Sequence, residues 1–342
     1  MKIEIATDND KEIWNAFLEK TEGGSFYHAF EWKKIFESSF GHQTSYLIAI
    51  DDNEVKGLLP LVLVNGMFFG AMAVSMPFLN YGGVCALNEE VERTLIKTAV
   101  DITKTHNAKY LELRAINKYT FNLPVKTHKV SMTIRLNPDP ENIWNGFTTK
   151  LRTNIRRAAQ NDLSIRIGGD EYLDEFYAIF TQHMRDLGTP IYKKSFFRNI
   201  LKEFSGRIKI FLVFYHDKPI ATAFNGYFKD TIEGLWESSL RKFRKLQPSY
   251  FLYWEMIKYG CEKGFKYFHL GRSSKESGSL DFKKKWNAFP QQLYWYYYLN
   301  KVEDLPQLNP ENAKFNLAIK TWKRLPVWTT RIIGPPIAKG IP

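Results

Sequence analysis

The stretch KPIATAFNGYFKDTIEGLWESSLRKFRKLQPSYFLYWEMIKYGCEKGFKYFHL (218–270) decides the fold. KPIATAFNGYF and TIEGLWESSL read as two strands joined at Lys229-Asp230. RKFRKLQ follows as a basic connection. PSYFLYWEMIKYGCEKG reads as a helix, with Pro248 in its first turn, where a missing N–H costs nothing. Gly264 stands where the left-handed closing residue is needed. Glu255, Lys258 and Glu262 make one polar stripe on an otherwise apolar helix, so most of it is buried. FKYFHL (265–270) is a short strand. The order is strand, turn, strand, helix, strand.

Working outward, IKIFLVFYHD adds a strand before this unit, and QQLYWYYYL (291–299) adds one after it. In the second of these, Tyr294, Tyr296 and Tyr298 alternate onto one side. They suit core packing or the stacking of a ligand. The first half of the chain repeats the order. SYLIAID (45–51) is a strand and Asp52-Asn53 a turn. VKGLLPLVLV and MFFGAMAVS form a hairpin about Asn65-Gly66, because both turn positions accept positive φ. A helix covers about 88–106 and a strand KYLELR (109–114). A repeated β-β-β-α-β order predicts an α+β chain of two domains with mixed sheets.

From Gly57 to Leu87 there is no charge, long enough to cross a bilayer. Asn65-Gly66, Pro60, Gly70 and Pro77 interrupt it, so it reads as core strands and no transmembrane segment is expected. NPDPEN (137–142) reads as a linker. A helix follows from Ile143 to Asn161, capped by Asn142. The expected domains are 1–142 and 143–310. A tail over 311–342, with a helix at 311–324 and a Pro/Gly-rich end, is expected to return to the first domain.

The chain of 342 residues carries a net charge of +12, which favours anionic partners without choosing among nucleic acid, lipid and phosphorylated small molecules. Only Cys85 and Cys261 are present, without CxxC, so neither a disulfide framework nor a structural zinc is expected, and a reducing, cytoplasmic setting fits. The charged N-terminus does not read as a signal peptide. There is no GxxxxGK[ST], HExxH or GxSxG, no dinucleotide fingerprint and no ligand spacing among the seven His, so P-loop, metal and serine-hydrolase chemistries recede.

Four basic clusters remain: Lys150, Arg152, Arg156 and Arg157; Arg241, Lys242, Arg244 and Lys245; Arg272, Lys275, Lys283, Lys284 and Lys285; and the tail, which after Glu311 holds six basic residues and no acid. Each suits a solvated face or an anion site. Arg152 and Arg156 share a helix face. A phosphate at Arg241 and Arg244 would also meet a helix N-terminus. Glu237, in GLWESS, could serve as a general base or as an ordinary paired strand residue.

The strand–turn–strand–helix–strand order resembles the GNAT acyltransferases. The Gly-rich loop that precedes their central helix and binds coenzyme A is replaced here by RKFRKLQPSYFL. A tandem pair of such domains with a degenerate loop resembles the FemAB family, the peptidoglycan bridge-forming aminoacyltransferases. SFYHAFEWKKIF (25–36), KLRTNIRRAAQNDLSIRI (150–167) and LDFKKKW resemble its motifs. HLGRSSKESGSLDFKKKWNAFP is similar to a branch associated with exopolysaccharide and envelope gene clusters, with Asn287 in place of Gly. The resemblance implies two tandem GNAT-like domains and transfer of an acyl or aminoacyl group, from aminoacyl-tRNA or an acyl-CoA, to an envelope precursor or polysaccharide. It implies a functional role for Lys283, and Glu237 and Arg272 stand beside it as the other catalytic candidates. Substrate-binding candidates are Lys150, Arg152, Arg156, Trp236, Arg241, Arg244, Ser273, Ser277, Gly278, Phe282, Trp286 and Tyr296, with Ser273, Ser277 and Gly278 as a flexible anion-facing turn. Implied partners are a small or lipid-linked precursor and tRNA. The Trp-bearing basic tail (Trp322, Trp328, Arg331) adds peripheral contact with anionic membrane as an expectation. A non-enzymatic module for anionic glycan, lipid or RNA is the other reading of the same charge.

Overall fold

A computed structural model describes residues 1–66, 70–306 and 313–342. The chain divides into two compact units. The first comprises 1–129, 292–308 and 336–342, and the second 130–291 and 309–335. The boundary therefore falls at 129/130 rather than 142/143, and NPDPEN is no linker. Asp139 caps a helix Pro140–Gly146 by accepting from Glu141 N. The helix expected over 143–161 is two helices. Phe147 and Thr148 are extended, and Thr148 caps Thr149–Ala159 by accepting from Leu151 N. A good cap inside an apolar-periodic run breaks the helix there.

The first unit holds a four-stranded sheet in the order Lys2–Ile5, Leu47–Asp51, Glu54–Leu59, Cys85–Ala86. A six-stranded sheet runs Gln43–Thr44, Val62–Gly66, Gly70–Val74, Tyr110–Ala115, Tyr294–Leu299, Val125–Lys126. The charge-free stretch therefore forms paired strands, as expected. Its turn is displaced, because Asn65 and Gly66 are themselves paired with Ala71 and Gly70, and 67–69 lie outside the described residues. The helix Glu89–Thr105, capped by Asn88, leads to Tyr110–Ala115, which runs parallel to Gly70–Val74. Tyr294–Leu299 was expected in the second domain but pairs with Tyr110–Ala115. Alternation shows which side of a strand is buried but not which strand it joins.

The second unit is built on a seven-stranded sheet in the order Leu163–Gly168, Ile208–Tyr215, Lys218–Phe228, Thr231–Ser239, Tyr267–Ser274, Lys129–Arg135, Phe289–Gln292. Its first four strands are antiparallel neighbours. The helix Pro248–Glu262 then returns the chain to Tyr267–Ser274, parallel to Thr231–Ser239. The helix lies close on the sheet. A Cβ on Gly260 would come 2.7 Å from Leu136 and 2.8 Å from Ile232. Phe251, Leu252, Met256 and Ile257 join Phe211, Val213 and Phe268 in one core. Phe176, Phe180, Phe196 and Phe197, on helices Leu173–Leu187 and Lys194–Glu203, pack with Phe224 and Trp236 into a second aromatic cluster.

The tail does not return to the first unit as a whole, since residues to Pro335 group with the second unit. It forms helices Ala313–Trp322 and Val327–Ala338, so the Pro/Gly-rich end is largely helical, while 311 and 312 lie outside the described residues. Small residues allow this docking. Gly188 leaves room for Ile319, and Gly334 lies against Ile191 and Trp322. Arg185 Nη1 donates to Leu325 O at 3.0 Å, and Arg331 to Thr181 Oγ1.

Candidate active site

The parallel strands Thr231–Ser239 and Tyr267–Ser274 pair only through Thr231↔Tyr267, Ile232↔Phe268 and Glu233↔His269, and then part. Two devices open them. The register of Thr231–Ser239 against Lys218–Phe228 shifts between Phe224 and Asn225, so Trp236 pairs with Phe224 but Gly234 with Asn225. Such a bulge bends and twists a strand. Gly234 also lacks the Cβ that would stand 2.6 Å from Glu237 Oε1 and 3.0 Å from His269 O. The glycine thus lets the Glu237 carboxyl fold back over the point where the strands separate.

Glu237 Oε1 is buried and has no hydrogen-bond partner in the protein. Burial raises its pKa above the ordinary carboxyl value, while the charges of Lys283 and His269 oppose the rise. A half-buried carboxyl with one oxygen fully enclosed, poised upward in this way, suits proton abstraction.

Lys283 belongs to the helix Gly278–Lys284 and is buried. Its Nζ donates to Gly271 O at 3.0 Å and Arg272 O at 3.2 Å, the backbone of the parted strand. Burial lowers its pKa to about 8, with Glu237 resisting and Arg272 assisting. An ammonium has three N–H groups, so one stays uncommitted to a neighbour in the protein. Glu237 and Lys283 feel each other's charge without forming an ion-pair contact among the described residues.

Under this pair lies a cluster that the sequence did not suggest. His269 Nδ1 sits 2.6 Å from Glu233 Oε2, and its Nε2 bonds Ser131 Oγ; all three residues are buried. Glu233 and His269 meet because they close the last parallel pair. They stand 36 positions apart in the sequence, with Ser131 on a third strand, so no local spacing announces them.

Several expected residues fall elsewhere. Trp286 is fully buried, stacked on Tyr253 at 5.4 Å and edge-on to Phe147, so it is core and not a ligand contact. Tyr296 is buried in the first unit, stacked on Tyr119, and its hydroxyl accepts from Tyr119 N. Trp236 packs on Phe196 and Phe197. Phe282 packs on Tyr250 and Tyr253. The glycine- and serine-rich segment is no flexible turn. Ser273 is buried in a strand, Ser277 accepts from Leu280 N as the cap of Gly278–Lys284, and Gly278 opens that helix. The capping potential of a serine explains the order. Lys150 and Arg156 are exposed on Thr149–Ala159, and Arg156 lies 5.4 Å from the Trp144 ring. Arg152, on the same helix, is partly buried.

Arg241–Leu246 forms a 3-10 turn that leads to Gln247, at φ 55°, and to Pro248. Phe243 N bonds Leu240 O and Gln247 N bonds Arg244 O, so these amides are used within the turn. Pro248 has none to offer. Beside the turn lies a cavity of about 520 Å³ lined by Gln182, Arg185, Lys218, Pro219, Arg241 and Lys242, among others. The ammonium groups of Lys218 and Lys242 converge on the Phe243 ring, at 6.0 and 4.9 Å. The Lys218 charge and contact lower the Lys242 pKa. Arg241 is part of this wall, and Arg244 is not among its lining residues.

Residues 146–284 match the model of the acetyltransferase (GNAT) domain. No curated protein matches the chain at a significant level. Among solved structures, FemX superposes with a TM-score of 0.68 at 15% identity, covering 88% of this chain and 98% of its own. The C-terminal domain assigned to a lysylphosphatidylglycerol synthetase from Agrobacterium fabrum gives 0.58 at 11% identity, covering 86% and 92%. A tandem GNAT protein from the clavulanic acid biosynthesis pathway gives 0.54 at 10%, covering 89% and 100%. With the parted parallel strands, the repeated β-α-β unit and the domain match in place, the chain has the fold of FemX, two tandem GNAT-like domains, and it carries a GNAT domain over residues 146–284.

Proposed function

We propose that this protein is an acyltransferase that moves an aminoacyl or acyl group onto an amine or hydroxyl of a cell-envelope precursor or polysaccharide. One observation carries the reading. A buried carboxylate oxygen without a protein partner and a buried lysine with a lowered pKa share the parting of two strands without an ion-pair contact. In acyl transfer an amine attacks an ester or thioester carbonyl, an oxyanion develops, and an alkoxide or thiolate leaves. Glu237 takes the proton from the attacking group. The uncommitted N–H of Lys283 meets the oxyanion and then supplies the proton to the leaving group. The carbonyls of Gly271 and Arg272 hold Lys283 in place, so little reorganisation is needed at the moment of reaction. Burial keeps the lysine pKa low, and Arg272 adds to this and brings positive potential to the same strand. Lys150, Arg152, Arg156 and Arg244 are left as candidate contacts to anionic parts of donor or acceptor, and Arg241 joins the cationic cavity wall.

FemX and the lysylphosphatidylglycerol synthetase domain favour an aminoacyl donor and an envelope acceptor over other acyl transfers. The turn over 241–247 favours the same choice, because Phe243 N and Gln247 N are used internally and Pro248 has no N–H, where a coenzyme A pyrophosphate would need free amides. The test is to offer charged tRNA and an acyl-CoA separately, with a lipid-linked peptidoglycan precursor, and to weigh the acceptor by mass spectrometry. An aminoacyl mass increment that vanishes in Lys283→Met is the expected result. Tight ligand binding with no transfer from either donor refutes the enzymatic reading and leaves a binding module for anionic glycan, lipid or RNA.

A further inference from the structure

The two tail helices carry side chains that a folded protein seldom leaves in water. Leu317 is 68% exposed, Trp328 and Ile332 are each 66% exposed, and Ile333 is 40% exposed. On Val327–Ala338 the inward positions are Thr330, which is fully buried, and Gly334, which lies against Ile191 and Trp322. At 3.6 residues per turn, Trp328 and Ile332 share the face opposite those two. The helix is therefore apolar on two faces, and only one of them is covered. On Ala313–Trp322 the inward residues are Trp322 and the half-buried Ile319. Leu317 shares the outward side with Lys320 and, by continuation of the same period, with Arg324; both are exposed, as is Lys323. None of residues 312–342 is acidic. No described helix is long and apolar enough to cross a membrane.

We propose that these two helices form a docking surface for an anionic phospholipid layer. Trp328, Ile332 and Leu317 enter the boundary between headgroups and acyl chains, and Lys320, Lys323 and Arg324 meet the lipid phosphates. Charge complementarity selects this occupant. A run of cations without a single acid repels a second copy of itself, whereas an exposed indole and two exposed aliphatic side chains on helices whose charges are all basic match an interface that is apolar below and negative above. Neither acyl donor nor acceptor is needed for this contact, so it stands or falls independently of the transfer reading.

The experiment is cosedimentation of the full chain with vesicles of phosphatidylcholine alone, or of phosphatidylcholine with about one third phosphatidylglycerol, at about 0.1 M salt. Binding to the second and not the first is expected. The Trp328→Ser/Ile332→Ser variant should bind at least about tenfold more weakly, given the apolar area withdrawn. Lys320→Glu/Lys323→Glu/Arg324→Glu should lose about a hundredfold or more, from roughly fivefold per cation. Both sets of side chains are exposed, so circular dichroism and the thermal midpoint should match the parent; the charge variant serves alone if the other fails to fold. No sedimentation with anionic vesicles, equal binding to neutral ones, or indifference to both variants overturns the proposal. So does self-association in the ultracentrifuge that the same substitutions abolish, which would assign the ridge to a second copy.

Discussion

Replacing Lys283 by Met separates the cost of holding this charge from its use. The side chain is 6% exposed, and burial brings its pKa to about 8 from an ordinary 10.5. Below pH 8 the lysine is charged in both folded and unfolded chains, and the folded state bears the full cost of the buried ammonium. Between about 8 and 10.5 the unfolded chain holds a proton that the folded chain has released, so stability rises with pH across that window. At about 1.4 kcal/mol per pKa unit the whole difference is about 3 kcal/mol. Lys283→Met recovers that amount at neutral pH but leaves the carbonyls of Gly271 and Arg272 without their donor, at about 1–3 kcal/mol each. The two effects oppose each other, so the variant at neutral pH should lie between about 1 kcal/mol more and about 3 kcal/mol less stable than the parent. From neutral pH to about pH 10, the parent should gain about 2–3 kcal/mol on the variant. Urea unfolding of both proteins, followed by tryptophan fluorescence across this range, reads the difference directly, and groups common to both cancel. A difference that does not change with pH refutes the buried, depressed lysine, and with it the physical basis for its catalytic role. If the difference behaves as expected, transfer by the folded variant should still fall by about 10²–10³, the usual cost of one oxyanion donor.

Glu237→Gln should lower turnover by about 10²–10⁴ with little change in ligand affinity. In the parent, rate should rise with pH as Glu237 ionises above the ordinary carboxyl range and fall above about pH 8 as Lys283 loses its proton; a flat profile across either limb contradicts the corresponding assignment. Gly234→Ala places a Cβ 2.6 Å from Glu237 Oε1, a flexible end that can move aside, and 3.0 Å from the backbone oxygen of His269, which must give, so turnover should drop tenfold or more and the thermal midpoint should fall by a few degrees. Glu233→Ala removes a buried hydrogen-bond partner of His269 and should cost about 1–3 kcal/mol in denaturant unfolding; no measurable loss would mean that the cluster is readily replaced. Coenzyme A at about a hundred times a micromolar Kd would raise stability by about 2.7 kcal/mol, and no such rise in melting temperature is expected here.

The order of elements was legible because periodicity and turn chemistry act over a few residues. Lys218–Phe228, Pro248–Glu262 and Glu89–Thr105 fall where the Lys229-Asp230 turn, the first-turn proline and the repeated order of elements place them. What depends on partners was not legible. The tyrosine alternation of Tyr294–Leu299 is the same whichever sheet the strand joins, and the tail's apolar periodicity does not say which unit covers it. Thr148 was missed as a helix break because a threonine inside a helical pattern signals a cap only once the backbone before it is extended. At the site, Lys283 was visible through a motif. Its burial was not, because FKKKW reads as a solvated charge run until Ser277 caps the helix and turns one lysine of three inward. Trp286 and Tyr296 show the opposite error, since an aromatic side chain attractive to a ligand is equally attractive to a core.

The missing glycines of the 241–247 turn and the basic cavity beside it belong to one argument. A glycine-rich loop holds a phosphate with backbone amides, whose number and direction the fold fixes, and so it suits one small cofactor well. Here Leu240–Phe243 and Arg244–Gln247 close on themselves, and Pro248 withdraws a further donor. The positive potential is carried instead by Lys218, Arg241 and Lys242, long side chains without an ion-pair partner among the described residues. Flexible cations around an open cavity follow a phosphate backbone or a lipid headgroup more readily than they define a single pyrophosphate. The rigid elements of the second unit are concentrated at the strand parting, where Gly234, the bulge and two backbone carbonyls fix Glu237 and Lys283. For the proposed transfer, a pinned reacting centre with an adaptable anion grip suits a large donor whose reactive end is small, as an aminoacyl ester is.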